Sequence, residues 1–236
     1  MSSAPHVSIV IPVYNEEAIL HAAVVGLRER LAPHGVSYEI VLAENGSRDR
    51  TVAIAEELAA RYAEVRHLSI DEPNYGKALR AGILAARADV VVCDEIDLCS
   101  VDFCLAAVAR VEAGKDLVIG SKLAGGAEDE RPLLRHTASR VYTSALRLLL
   151  DFQGTDTHGP KAFRRSRLLP VVEACVVDRD VFASEFVIRA YRAGLAVEEL
   201  PIRVKELRPP SINLFRRVPA VVRNLAKLTW AVRRNG

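Results

Sequence analysis

The chain has 236 residues, half of them hydrophobic, and a formal net charge of +2 at pH 7. This length is enough for one large domain or two small ones, and the hydrophobic share supplies a sizeable core. The near-neutral charge excludes the strongly basic profile of nucleic-acid-binding proteins, so we expect no nucleic acid partner.

Cysteine usage and hydropathy favour a reducing compartment. The sequence has no CxxC pair, no signal-peptide pattern and no run of 18 uncharged apolar residues, the length that a membrane-spanning helix needs. We therefore expect a cytoplasmic protein whose cysteines are reduced. The four cysteines are Cys93, Cys99, Cys104 and Cys175.

The first half of the chain alternates strands rich in β-branched residues with amphipathic helices. The predicted strands are Val7–Pro12, Tyr38–Ala43, Val65–Ile70, Val90–Val92 and Leu117–Gly120. The predicted helices are Glu17–Leu31 with Asn15 as N-cap, Thr51–Tyr62, Lys77–Ala86 and Val101–Glu112. Such alternation predicts an α/β fold, a mostly parallel sheet with helices on both faces.

After Gly125 and Gly126 the pattern changes, and we interpret the second half as an acceptor-side elaboration of the same domain. The predicted elements there are a charged loop over Ala127–Arg131, a helix over Leu133–Leu150, a loop with an edge strand over Thr155–Phe163, a helix over Val181–Ala193 ended by Gly194, and a strand over Leu195–Val204.

The C-terminal segment, residues 211–236, has its own character. From Pro201 onward the chain carries nine Lys and Arg against one Glu, a net charge of +8 that leaves −6 for the rest. Apolar residues recur at helical spacing over Asn213–Arg233, with Trp230 and several cations among them. A basic amphipathic helix of this kind is typical of a membrane surface. The alternative is a helix packed on its own domain.

Three carboxylates, Asp94, Glu95 and Asp97, follow the predicted strand Val90–Val92. Clustered acids at the end of a buried strand need compensation, and the usual compensators are a divalent cation or a basic ligand. In open α/β sheets ligands bind beyond the carboxyl ends of the strands, which is where these acids fall. A solvated acidic turn is the alternative.

Two other strand ends carry residues suited to a nucleotide. Tyr14 and Glu16 could stack on a base and bind a ribose, and Glu44 could accept from a base N–H. Ordinary packing of Tyr14 and a helix cap after Glu44 are the alternatives. The sequence has neither GxGxxG nor GxxxxGK[ST], so a diphosphate would need a cation rather than a glycine-rich cradle.

Several blocks together resemble family 2 of the GT-A glycosyltransferases, and within it the polyprenyl-phosphate sugar synthases of the dolichyl-phosphate mannose synthase type. The blocks are the segments 7–17, 44–51 and 75–82 and the acidic stretch 88–99. The resemblance covers about residues 7–205. It implies a donor half at about residues 1–122, an acceptor half at about 123–210, and a membrane-interface tail beyond them.

The resemblance implies an inverting transfer of a sugar, mannose or glucose, from a GDP- or UDP-linked donor, with Mg or Mn on the diphosphate. The metal ligands would be Glu95 and Asp97, with Glu95 in place of the family's usual Asp. Cys99 stands where the synthases often have Gln, which raises the question of a softer ion. The nucleotide-binding residues would be Pro12, Tyr14, Glu16, Glu44, Lys77 and Asp94.

On the acceptor side the resemblance places Lys122 and Arg135 at a polyprenyl phosphate, and both join Asp97 as catalytic candidates. Asp156, His158 and Glu185 would lie nearby. A phosphate acceptor needs little general-base help because its second pKa is about 6. A hydroxyl acceptor, the second hypothesis, would need a base such as Glu185 or Asp156.

The expected enzyme lies at the cytosolic membrane face as a peripheral protein, and an anchoring partner protein is possible. A third hypothesis is a non-catalytic nucleotide-binding or membrane-docking module that keeps the same fold.

Overall fold

The computed structural model describes residues 4–130, 133–204 and 214–234. Seven strands form the main sheet: β1 (Val7–Val13), β2 (Tyr38–Asn45), β3 (Val65–Ile70), β4 (Val90–Cys93), β5 (Leu117–Ser121), β7 (Lys161–Arg164) and β8 (Val197–Pro201). Their order is β3-β2-β1-β4-β7-β5-β8, and β7 alone runs antiparallel to its neighbours. Two further strands, β6 (Glu128–Asp129) and β9 (Arg203–Val204), pair with each other in parallel.

Helices cover both faces of the sheet, as the alternating pattern predicted. They are α1 (Leu20–Leu31), α2 (Thr51–Arg61), α3 (Tyr75–Ala85), α4 (Val101–Glu112), α5 (Leu133–Leu150), α6 (Arg165–Ala174), α7 (Phe182–Arg192) and α8 (Leu214–Arg234). Successive residues of a strand face opposite sides, so Ile9 and Ile11 join the core under α1, α2 and α4, while Val10 joins the core under α3, α6 and α7.

Four expectations about local structure were wrong. Asn15 does not cap α1: its backbone is left-handed, with φ of 52°, and its side chain accepts from the backbone N–H of Arg48. The segment Ala127–Arg131, as far as it is described, contains β6 rather than only a loop. The strand expected at Leu195–Val204 is divided into β8 and β9, and α6 was not predicted.

The fourth correction concerns β7, which was expected at an edge of the sheet. Pro160 lacks an N–H and lies just outside the strand, so the ladder begins at Lys161. From there β7 pairs with β4 on one side and β5 on the other, near the middle of the sheet. Its central place brings the second half of the chain next to the acidic stretch after β4.

Helix α8 packs on its own domain, which was the second interpretation of the C-terminal segment, and it also exposes several apolar side chains. Leu228, Ala231 and Val232 are fully buried, and Arg189 and Arg192 of α7 donate to the carbonyls of Ala231 and Val232. Val221, Val222 and Trp230 are exposed. Within the described residues, no helix is both long and apolar enough to cross a bilayer.

A buried polar cluster fixes the amino end of the central strands. The carboxylate of Glu39 on β2 accepts from the Ser8 hydroxyl at 2.7 Å, from Arg66 Nη1 at 2.8 Å and from the backbone N–H of Arg87 at 2.7 Å. The Ser8 hydroxyl in turn accepts from the backbone N–H of Ala88. Burial alone would raise the pKa of Glu39, but these donors more than offset it and hold the pKa below its ordinary value.

Replacing Glu39 with Gln should lower the free energy of unfolding at pH 7 by about 2 kcal/mol, because its three donors lose an ionised acceptor. The folded-state pKa of Glu39 lies below its ordinary value of 4.5, so its contribution is present above that value and is lost as pH falls through the folded pKa. Urea unfolding near pH 7 and again near pH 3 should show the difference shrinking.

The exposed Glu57 on α2 provides the matched control. Glu57→Gln should leave the free energy of unfolding nearly unchanged at both pH values. A Glu39→Gln deficit that stays constant with pH would mean that packing, not the carboxylate charge, accounts for it.

Candidate active site

The loops that follow β1 and β2 are joined by hydrogen bonds into one surface. The backbone N–H groups of Asn15 and Glu16 donate to the hydroxyls of Ser47 and Thr51, at 3.0 and 2.7 Å. The Asn45 side chain donates to the carbonyl of Val13 at 2.9 Å. These contacts place the two strand ends that were predicted to bind a nucleoside side by side.

Of the nucleoside candidates, Tyr14 is exposed and Glu16 is half-buried on the first loop. Pro12 is buried within β1, in register with Ala43. Glu44 is buried at the end of β2, and its carboxylate accepts from the backbone N–H of Ser47. Lys77, by contrast, is exposed at the start of α3 and pairs with Glu72.

Asp94 builds the turn after β4. Its side chain is only 4% exposed, and its two oxygens accept from the backbone N–H groups of Glu95 and Ser100, at 2.8 and 2.9 Å. Burial raises its pKa to about 7, and the neighbouring acids Glu95 and Asp97 add to the rise. Both oxygens of Asp94 therefore stabilise the turn itself, rather than the nucleotide contact expected of this residue.

The other two acids differ in environment. Glu95 is half-buried, and its Oε1 accepts from the phenol of Tyr75 on α3 at 2.6 Å. Burial raises the pKa of Glu95, with a further rise from Asp97, against the lowering effect of the Tyr75 hydrogen bond and the Lys161 charge. Asp97 is exposed at the far end of the turn. The turn therefore concentrates negative charge that a cation would offset.

The donor chemistry of this turn fits magnesium or manganese. Carboxylate oxygens suit these hard ions, and a cation that bridges to phosphates takes only one or two protein carboxylates, which Glu95 and Asp97 could supply. The described part of the chain holds no cluster of three or more His, Cys, Asp or Glu side chains that could form a complete protein cage. Phosphate oxygens of a ligand would have to complete the coordination.

Cys99 does not supply a soft ligand. Its side chain is buried in the core, where the thiol donates to the carbonyl of Ile96. Burial also raises the pKa of this thiol to about 12. The substitution of Cys at this position therefore gives no reason to expect a softer ion.

Lys161 is a site residue that sequence analysis did not single out. It lies on β7, in register with Cys93 of β4 and Ile119 of β5. Its side chain is buried, and Nζ donates to the carbonyl of Gly159 at 2.7 Å. Burial lowers its pKa, while Cys93, Asp156 and Glu95 act in the opposite direction. The ammonium thus lies between the acidic turn and Asp156.

A buried ion pair marks the carboxyl end of β5. Lys122 Nζ lies 2.7 Å from Asp156 Oδ2, and the other oxygen of Asp156 accepts from the backbone N–H of His158. Burial alone would raise the pKa of Asp156, but Lys122 and this donor lower it below its ordinary value. Lys122 and Asp156, predicted separately, are therefore direct partners.

The loop that carries Asp156 fits tightly against β5. A Cβ on Gly159 would lie 1.7 Å from the carbonyl oxygen of Gly120, so no larger residue fits there. Ser121 and Thr155 share a hydrogen bond of 2.6 Å, and Thr155 also donates to Glu199 on β8. These contacts fix the Lys122–Asp156 pair relative to the sheet.

A polar pocket of about 580 Å³ opens beside this pair. Its lining includes the cations Lys122, Arg140 and Arg147 and the imidazole of His136, the last three from one face of α5. Arg147 is held by two hydrogen bonds to the carbonyl of Gly154. Arg135, the predicted phosphate ligand, directly precedes His136 on α5 and is half-buried. Sequence analysis did not predict His136, Arg140 or Arg147 as site residues, although their spacing on a predicted helix was a usable signal.

Glu185 and His158 have different surroundings. Glu185 is fully buried on α7: Oε1 accepts from Arg189 Nε at 2.8 Å, and Oε2 accepts from the backbone N–H groups of Val176 and Val177. It ties α7 to the chain after α6 and has no oxygen left to act as a base. His158 is exposed, with its ring edge-on to Tyr142 at 5.4 Å between centroids.

Known proteins similar to this chain include several glycosyltransferases. Glycosyltransferase AglD of Haloferax volcanii is 30% identical over 231 residues, which cover 95% of this chain and 37% of that protein. Undecaprenyl-phosphate 4-deoxy-4-formamido-L-arabinose transferase of Pseudomonas aeruginosa is 38% identical over 94 residues, or 39% of this chain and 28% of that one. The chain thus spans about a third of these two relatives.

A third relative is matched over more of its own length. Dolichyl-phosphate beta-glucosyltransferase of Trichomonas vaginalis is 27% identical over 230 residues, which cover 89% of this chain and 68% of that protein. Among solved structures, glucosyl-3-phosphoglycerate synthase from Mycobacterium tuberculosis, in complex with UDP, superposes with a TM-score of 0.67 and 20% identity. That match covers 95% of this chain and 80% of the synthase, and it confirms the predicted fold.

The family model described as Glycosyl transferase family 2 matches residues 8–171. This span contains the joined loops after β1 and β2, the acidic turn and the Lys122–Asp156 pair. The chain therefore belongs to glycosyl transferase family 2 and has the GT-A fold.

Proposed function

We propose that this chain transfers a sugar, mannose or glucose, from a GDP- or UDP-linked donor to a polyprenyl phosphate, with inversion at the sugar carbon. The observation that carries the proposal is the cationic pocket beside Lys122, separated only by β7 from the acidic turn after β4. A phosphate acceptor and a diphosphate donor need these two opposite charges at neighbouring strand ends. The names of two relatives, an undecaprenyl-phosphate transferase and a dolichyl-phosphate glucosyltransferase, support the acceptor class.

On the donor side, Tyr14, Glu16 and Glu44 would contact the nucleoside. Pro12 would line the bottom of the nucleoside pocket, and Lys77 would lie near the phosphates. Glu95 and Asp97 would hold Mg or Mn. When bound, this ion offsets the charge that develops on the leaving diphosphate. Two solved structures of the glucosyl-3-phosphoglycerate synthase contain Mn²⁺ or Mg²⁺ together with UDP, which supports the same arrangement here.

On the acceptor side, Lys122, Arg140 and Arg147 would bind and orient the lipid phosphate, with Arg135 near the mouth of the pocket. A phosphate oxygen attacks the anomeric carbon while the bond from that carbon to the diphosphate oxygen breaks. The acceptor is already ionised near neutral pH, because its second pKa is about 6, so no proton needs to be removed. The nucleoside diphosphate is the other product.

The environment of the two candidate bases weighs against a hydroxyl acceptor. Such an acceptor needs a carboxylate to take its proton. Asp156 is paired with Lys122, and both oxygens of Glu185 accept from other donors. A non-catalytic nucleotide-binding module would account for the acidic turn but not for the cationic pocket beside it. Incubation with labelled nucleotide-sugars, polyprenyl phosphate and divalent ions tests all three: label should enter the butanol phase only when lipid phosphate is present.

Asp97→Ala should abolish transfer, because the substitution removes one of two metal ligands. The exposed position of Asp97 predicts that folding is preserved. Turnover with Mn²⁺ and circular dichroism would be measured together, with Glu57→Ala as the control for loss of an exposed acid. Near-normal turnover of Asp97→Ala would show that Asp97 is not a metal ligand.

Arg140→Gln should raise the KM for polyprenyl phosphate about tenfold and leave the KM for the nucleotide-sugar unchanged, since one charge-assisted contact to phosphate is lost. Lys122→Met should act in the same direction but also destabilise the fold, because Asp156 loses its buried partner. The exposed Arg61→Gln on α2 is the control. If Arg140→Gln raised the KM for the nucleotide-sugar as much as the KM for polyprenyl phosphate, Arg140 would instead be a ligand of the donor diphosphate.

We also propose that the enzyme docks on an anionic membrane at the cytosolic face through α5 and α8. Leu148 of α5 is 85% exposed and Trp230 of α8 is 57% exposed. Between the two helices lies an apolar groove of about 680 Å³, with Arg233 and Arg234 at its rim. Each cation near an anionic surface contributes about 1 kcal/mol, which falls off within a Debye length. Such binding is reversible, and a separate anchoring protein remains compatible with it.

Vesicle flotation checks the docking surface. Deletion of α8 is a poor test because Leu228 and Val232 belong to the core, so the double variant Leu148→Ser with Trp230→Ala is preferable. It should lower the fraction that floats with anionic liposomes at low salt, while Val176→Ser, at an apolar position that is 53% exposed outside the groove, should not. Wild-type protein that stays in the dense fraction would contradict the proposal.

A further inference from the structure

The phenol of Tyr75 contacts the acidic turn from a different part of the fold. Tyr75 is the first residue of α3, and its hydroxyl donates to Glu95 Oε1 at 2.6 Å. We propose that Tyr75 is a positioning residue that holds the Glu95 carboxylate in place for a divalent cation. This inference rests on the proposed function, since it concerns the metal expected there.

Contacts of the neighbouring residues Asn74 and Gly76 fix the backbone position of Tyr75. Asn74 caps α3 by accepting from the backbone N–H of Lys77, and the same side chain accepts from the backbone N–H of Arg179 and donates to Asp178. Gly76 lies so close to the turn at Arg179–Val181 that an added Cβ would be 2.7 Å from Arg179 N. The start of α3 is therefore packed against a second element, which fixes the backbone position from which the Tyr75 side chain extends to Glu95.

Glu95 needs such a partner more than its neighbours do. A glutamate has one more rotatable bond than an aspartate, so its carboxylate samples more positions unless another group restrains it. Asp94 is restrained by two backbone N–H groups, whereas Glu95 is restrained by Tyr75. The hydrogen bond uses Oε1 and leaves Oε2 for a cation. Groups that hydrogen-bond a ligating carboxylate orient it, and their loss typically weakens metal affinity 10- to 100-fold.

The hydrogen bond between Tyr75 and Glu95 therefore depends on the length of the glutamate side chain. A shorter Asp at position 95 would lie farther from the Tyr75 hydroxyl, and the phenol would then no longer influence the metal. This gives the proposal a double-mutant test, because the effect of removing the hydroxyl should depend on which acid stands at position 95.

The experiment is a titration with Mn²⁺ followed by electron paramagnetic resonance, in the presence of UDP and, separately, GDP. Tyr75→Phe should weaken Mn²⁺ affinity about tenfold or more in the background of Glu95, and less than twofold in the background of Glu95→Asp. Tyr38→Phe removes a phenol at the opposite end of the strands and is the matched control. Nucleotide affinity in EDTA and the melting temperature in EDTA should stay at wild-type values in Tyr75→Phe.

The outcomes separate the inference from the proposed function. If wild-type protein with either nucleotide binds no Mn²⁺, the metal-dependent function fails, and the inference fails with it. If wild-type protein binds Mn²⁺ and Tyr75→Phe binds it equally well, only the positioning role is overturned. A Tyr75→Phe variant that loses nucleotide affinity in EDTA and melts at a lower temperature would show a general packing role instead, and this would also overturn the inference.

Discussion

Negative charge at the carboxyl end of a buried strand is the constraint on which the rest of the site depends. Strand β4 ends in Cys93 inside the core, and the chain must turn immediately while it carries three acids out of that core. Desolvation makes each charge costly unless it is compensated. The fold compensates them in three ways: backbone N–H groups for Asp94, a phenol for Glu95, and solvent for Asp97.

The insertion of β7 between β4 and β5 sets the distance between the two halves of the site. Because β7 runs antiparallel to both neighbours, its first residue, Lys161, lies at their carboxyl ends. The preceding loop brings Asp156 to Lys122, and the close approach of Gly159 to Gly120 leaves no space for the loop to shift. A buried ammonium thus stands between the acidic turn and the cationic pocket, where it reduces the repulsion among the carboxylates.

Helix α5 lines the polar pocket, and together with α8 it also forms an exposed apolar surface. One face of α5 carries the cations that line the pocket, while Leu148 on the same helix is directed to solvent. Helix α8 packs against α5 and α7 through its buried side, where Arg189 and Arg192 donate hydrogen bonds to the carbonyls of Ala231 and Val232. The remaining side of α8, with Val222 and Trp230, extends the apolar surface. Helix α5 therefore contributes both to the pocket and to the apolar surface.

The sequence by itself determined the features that depend on local pattern. The bounds of β3, α4 and α5 were predicted as observed, since their periodicity and flanking residues decide them. The placement of Glu44, Glu95, Asp97 and Lys122 at strand ends also followed from the sequence, because parallel strands bring their carboxyl ends to one edge. The family resemblance rested on the same blocks.

Only the tertiary structure decided which of these side chains contact each other, and which already have hydrogen-bond or ion-pair partners within the fold. The Tyr75–Glu95 bond joins residues 20 positions apart, and the Lys122–Asp156 pair joins residues 34 apart. The central place of β7, the buried role of Glu185 and the division of α8 into a core side and an exposed side likewise depend on packing between distant segments. The sequence determines the chemical nature of each side chain. The fold decides which partner it contacts, and so whether it remains available for a ligand, because a hydrogen bond needs both atoms within about 3 Å.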